Sequence, residues 1–88
     1  MTKEEFLQEA NLGRNPKFTM DDVHSGTPKK DGGGFIVLTS SGNIILAKYE
    51  SNRWSQAHFT EARSVSYPKS SQEIYYTDIK EEIIYWIK

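Results

Sequence analysis

Phe35-Ile36-Val37-Leu38-Thr39-Ser40-Ser41-Gly42-Asn43-Ile44-Ile45-Leu46-Ala47-Lys48-Tyr49 decides the fold. Its two halves are rich in β-branched and aliphatic residues. Ser40 to Asn43 between them is the Gly/Asn-containing punctuation of a tight turn, so the stretch predicts a β-hairpin. Both halves are nearly continuously apolar before they turn polar, which predicts a central place in the sheet. Working outward, Glu50-Ser51-Asn52-Arg53 reads as a second turn. Trp54 to Phe59 then reads as a third strand, with Trp54, Gln56 and His58 on one face and Ser55, Ala57 and Phe59 on the other. The three runs predict an antiparallel meander.

On the N-terminal side, His24 to Gly34 has loop composition, ending in Asp31-Gly32-Gly33-Gly34. Thr19-Met20-Asp21-Asp22 is suited to one helical turn. Thr2-Lys3-Glu4-Glu5 is a capping box: the Thr2 hydroxyl can accept from the Glu5 N–H while the Glu5 carboxylate accepts from Thr2. Phe6, Leu7 and Ala10 share a helical face and Gly13 is a stop, so a helix is expected over about 3–11. So short a helix persists only when docked on something.

The C-terminal side holds a conflict. Ile79, Ile83, Ile84 and Ile87 have helical spacing, whereas Ile83-Ile84-Tyr85-Trp86-Ile87 is β-branched and aromatic throughout. Propensity leaves residues 79–87 evenly divided between helix and strand, and it gives no conformation for residues 60–81. The expected class is therefore α+β, an N-terminal helix on a small, mainly antiparallel sheet of three to five strands, with residues 1–88 as one domain.

Composition narrows function mainly by exclusion. The chain has 88 residues, eleven of them aromatic, and a net charge of -1, which favours a folded core over disorder. It has no cysteine, which removes disulfides, thiolate metal sites and cysteine nucleophiles. No apolar run is long enough to span a bilayer, and residues 1–15 carry no apolar signal segment, so no membrane partner and a cytoplasmic location are expected. His24 and His58 are the only histidines. Asp21-Asp22-Val23-His24 and His58-Phe59-Thr60-Glu61 each set a carboxylate near an imidazole, but neither has the spacing that puts two ligands on one helical face. The expectation is a surface loop for His24, an exposed or half-buried strand position for His58, and no metal. No nucleophile elbow is present, and Asp21, Asp22 and Glu61 are ordinary carboxylates. The glycines of Lys29-Lys30-Asp31-Gly32-Gly33-Gly34 precede a strand, not a helix, and lack phosphate-loop spacing. No enzyme, no catalytic residue and no cofactor are expected.

Two surfaces remain as candidates. Tyr75 and Tyr76, and likewise Tyr85 and Trp86, must point to opposite faces if they lie on strands, so one of each pair is expected outside the core. Glu73, Asp78, Glu81 and Glu82 surround them. Exposed tyrosines suit a protein interface, so Tyr75, Tyr76, Asp78 and Tyr85 are the expected contacts of a protein partner or of a homodimer through a sheet edge. The alternative is a single-stranded nucleic-acid-binding domain using Arg53, Trp54, Arg63 and Lys69, in which aromatic stacking sits beside cations. Residues 14–69 carry eight Lys/Arg against five Asp/Glu, a small excess for a nucleic-acid binder.

The order of these features resembles a small bacterial and phage-associated domain family of unknown function. Its members open with a Leu-Pro-x-x-Gly-like turn before a hairpin, carry a Trp-containing strand, and close on a strand such as Val-Ile-Ala-Trp followed by Met-Pro-Leu-Pro. Thr27-Pro28-Lys29-Lys30-Asp31-Gly32 is similar to the opening turn, Phe35 to Tyr49 to the hairpin and Trp54 to the following tryptophan. Ile83-Ile84-Tyr85-Trp86-Ile87 is similar to the closing strand. The resemblance spans residues 27–58 and 82–87. It implies a strand at 82–87 and an accessory factor from a bacterial or mobile-element genome, and it carries no site residues.

Overall fold

The computed structural model describes residues 1–61 and 72–88. Helix α1 (Lys3–Ala10) and a 3-10 turn (Met20–Asp22) precede five strands: β1 (Gly32–Thr39), β2 (Ile44–Glu50), β3 (Arg53–Glu61), β4 (Gln72–Asp78) and β5 (Ile83–Ile87). All neighbouring strands are antiparallel, in the order β4-β3-β2-β1-β5. The architecture is thus α+β with one helix and a five-stranded open sheet.

Local chemistry accounts for most of these elements. The Glu5 N–H donates to Thr2 Oγ1 at 3.2 Å and the Thr2 N–H donates to Glu5 Oε1 at 3.0 Å, so the box that starts α1 is formed. At the first hairpin, Gly42 takes a φ of 88°, which costs a residue without a Cβ nothing. The Thr39 hydroxyl accepts from the Asn43 N–H at 3.2 Å. At the second, Ser51 and Asn52 have φ of 52° and 65°, the two left-handed residues of a type I′ turn, whose twist matches the strands it joins. Gly32 to Gly34 belong to β1 and not to the preceding loop: the register with β2 shifts between Gly32 and Phe35, and Gly34 takes a φ of 78° in that irregularity.

The C-terminal conflict resolves to strand. Ile36, Val37 and Leu38 of β1 lie opposite Ile87, Trp86 and Tyr85 of β5. A partner strand fifty residues away in sequence selects the β-branched run over its helical spacing. Beyond β5, His24 forms a bridge to Trp86, with both N–H to O distances at 2.9 Å, and its ring lies 4.6 Å from the Trp86 ring. The Trp86 indole N–H also donates to the Gly26 carbonyl at 2.9 Å, so the 24–26 segment covers that edge. His24 is exposed, as a surface loop predicts, but it is tied to the sheet.

The sheet buries apolar residues on both faces, unequally. On one face Phe6 and Ala10 of α1, with Val23, close over Leu38 and Ile87, and Leu7, Phe18, Ile36, Ile84 and Tyr85 pack around them. On the other, Phe35, Val37, Ala47 and Tyr49 are buried, with Ile45, Trp54, Ile79, Ile83 and Trp86 against them. This aromatic core is edge-to-face: Phe35 to Trp54 at 5.0 Å and 87°, Phe35 to Trp86 at 5.4 Å and 76°. Its lid is the short link from β4 to β5. A flat five-stranded sheet would be about 19 Å wide, and the chain from Asp78 to Ile83 reaches at most about 18 Å. The sheet therefore curls around the aromatic cluster, and Ile79 of the link and Ile83, the first residue of β5, pack on it.

Candidate protein-docking surface

Helix α1 has eight residues and spans only the β1–β5 end of its face. The same face continues over β2, β3 and β4. The register places Leu38 opposite Ile44, Ile36 opposite Leu46, Lys48 opposite Ser55, Ser55 opposite Asp78 and Ala57 opposite Tyr76. Leu38 and Ile36 lie under the helix, which does not extend over the part of the face toward β4. Ile44 is 37% exposed, Leu46 48%, Ile74 52% and Tyr76 44%. The apolar β2 run is thus central in the sheet, yet it is buried on one face only, through Ala47 and Tyr49. Ile44 and Leu46 stay exposed because the helix is too short to reach them.

β4 lies at the sheet edge, and every one of its residues from Ile74 to Asp78 is exposed. Tyr75, on the aromatic-core face, is 51% exposed. Tyr75 and Tyr76 do face opposite ways, and both are at the surface. Polar groups frame one end of the patch. The Lys48 ammonium sits 4.1 Å from the centre of the Tyr76 ring and 3.2 Å from Glu50 Oε2. Asp78 accepts from the Ser55 hydroxyl at 3.3 Å and pairs with Arg53 at 3.7 Å. Opposite, on the aromatic side, His58 Nε2 lies 2.6 Å from Thr77 Oγ1. His58 is exposed on β3, within the expected range.

The structure separates residues that the sequence groups together. Tyr75, Tyr76 and Asp78 share β4, whereas Tyr85 is on β5 at the other side of the sheet. The Tyr85 ring stacks on Phe6 at 6.4 Å and is half-buried under α1, so it belongs to the helix packing. Glu81 and Glu82 are exposed in the link to β5, away from the β4 patch. For the nucleic-acid set, Arg53 and Trp54 are neighbours and so point to opposite faces. The Trp54 ring is occupied edge-on by Phe35 and, at 4.9 Å, by Tyr49. Arg63 and Lys69 lie outside the described residues. Ile44, Leu46 and Ile74, which sequence reasoning passed over, complete the patch; their signal is the period-2 spacing of Ile44 with Leu46 and Ile74 with Tyr76, readable only once the covered width of the sheet is known.

Among the described residues no three His, Asp or Glu side chains converge as a metal site, and no helix is long and apolar enough to cross a membrane. The chemistry available at the patch is apolar and aromatic contact with a charged rim. Comparisons with known protein families, with curated proteins and with solved structures gave no match.

Proposed function

We propose that this chain is a non-enzymatic protein-interaction module that docks through β4 and the adjoining outer face of β2. The observation that carries this reading is β4 itself: Ile74, Tyr75 and Tyr76 are all about half exposed, on both faces of an edge strand. Large apolar and tyrosine side chains next to one another on a surface are the composition of an interface core, and Lys48, Glu50, Arg53 and Asp78 provide the polar rim. An accessory role in a bacterial or phage setting rests on the resemblance of residues 27–58 and 82–87.

The test compares capture by the tagged protein, by the double variant Leu46→Lys/Ile74→Lys and by Leu12→Lys. Leu12 is also exposed but lies just beyond α1, outside the strands that carry the patch. A protein retained after nuclease treatment by the parent and by Leu12→Lys, and lost with the folded double variant, is the expected result. Equal retention by the folded double variant, or retention only of nucleic acid that is released by salt, would overturn the reading.

A further inference from the structure

We infer that the occupant of this surface is a second copy of the chain, paired antiparallel through the outer edge of β4 about a two-fold axis at Tyr75. This rests on the docking reading above and names its partner.

The backbone sets which groups are available. Glu50 and Arg53 flank the two-residue turn Ser51-Asn52 and therefore exchange both of their backbone hydrogen bonds. The Trp54 carbonyl then faces away from β2, and it accepts from the Ile79 N–H at 2.9 Å. Alternation continues along the strand, so Gln56 with Thr77, His58 with Tyr75 and Thr60 with Glu73 are the bonded pairs of β3 and β4. The N–H and C=O groups of Ile74, Tyr76 and Asp78 consequently point outward from the sheet.

The sequence of β4 is self-complementary in one register. With Tyr75 opposite its own copy, Ile74 lies opposite Tyr76 and Tyr76 opposite Ile74, and both are outward-pointing residues able to form bonded pairs. Apolar–aromatic pairs directly across antiparallel strands are stabilising. The same register sets Asp78 across from Gln72 and Glu73 across from Thr77, so no acid opposes an acid. Moving the axis to Tyr76 places Ile74 opposite Asp78. Moving it to Ile74 places Tyr76 opposite Gln72. Either shift keeps one self-pair, Tyr76 or Ile74 with its own copy, and loses the two Ile74–Tyr76 pairs. A two-fold axis perpendicular to the sheet keeps each face on its own side, so the Ile44–Leu46–Ile74–Tyr76 patches of two copies join into one strip. The edge also lacks two common guards, lysine and proline, and its two charged residues, Glu73 and Asp78, flank the central Ile74-Tyr75-Tyr76 and leave it uninterrupted.

The test uses the purified full chain. Its mass, 10.1 kDa as a monomer, should rise toward twice that value with concentration, and Tyr76→Lys should weaken association by about tenfold for each of the two symmetry-related tyrosines. The absence of cysteine allows a register check. In Tyr75→Cys the two thiols come within disulfide range, since opposed Cα atoms of a non-bonded pair are about 4.5 Å apart. Mild oxidation with diamide, which takes up the two hydrogens, should cross-link it. In Thr77→Cys the thiols are four residues out of register, about 14 Å apart, and should stay free. A monomer at every concentration, or cross-linking of Thr77→Cys in preference to Tyr75→Cys, would overturn the second copy. The docking reading fails separately, by retention of the same captured protein in the Leu46→Lys/Ile74→Lys variant.

Discussion

Among the described residues, Glu5 is the one group whose ionisation the fold clearly shifts. The Thr2 backbone N–H, and then the Thr2 hydroxyl, hold its carboxyl below the ordinary glutamate value. The folded state therefore favours the carboxylate. Its contribution is complete above the glutamate value of the unfolded chain and is lost as pH falls through the lowered folded value. Glu5→Ala should accordingly lower the urea midpoint at pH 7 and have a much smaller effect near pH 3. A pH-independent difference between the two proteins would contradict the capping box as its origin. This box was fully legible in the sequence, because Thr2 and Glu5 are three residues apart and their geometry is local. Tyr85 was not. That it faces away from Trp86 follows from alternation, but that Phe6 then covers it depends on where α1 docks.

At the scale of elements, α1 is held by what it covers. Phe6 and Ile87 are fully buried against each other's neighbours. Phe6→Ala should cost about 3–5 kcal/mol, a large share of the roughly 5–15 kcal/mol that stabilises a small domain. Leu46→Lys on the uncovered part of the same face should change stability by no more than about 0.5 kcal/mol. Urea unfolding of the two variants checks both, and equal losses would mean that β2 is covered after all. The hairpin β1–β2 and the turn at Ser51-Asn52 were readable from composition because turn chemistry is local. β4 was not, since Gln72 to Asp78 becomes a strand by pairing with β3. Likewise, the isoleucines of residues 79–87 fit a helix or a strand until β1 supplies the ladder.

At the scale of the molecule, one imbalance organises the account. Five strands offer two faces; the curled face closes on its own aromatic residues and the Asp78-to-Ile83 link, while the other has a two-turn helix to cover it. The uncovered remainder and the outer edge of β4 coincide. Sequence reasoning named Tyr75, Tyr76 and Asp78 from strand alternation and residue type, and it missed Ile44, Leu46 and Ile74 because burial of an apolar run cannot be read without knowing how far the helix reaches.

Residue-resolved amide exchange of the purified protein, dilute and concentrated, tests the role of β4 most directly. The amides of Glu73, Tyr75 and Thr77, bonded to β3, should be protected at both concentrations. Those of Ile74, Tyr76 and Asp78 should exchange rapidly in dilute solution and slow down together on concentration. Protection of the second set already in dilute protein, or a concentration-dependent slowing that falls on α1 or β5 and leaves β4 unchanged, would contradict a docking role for this strand.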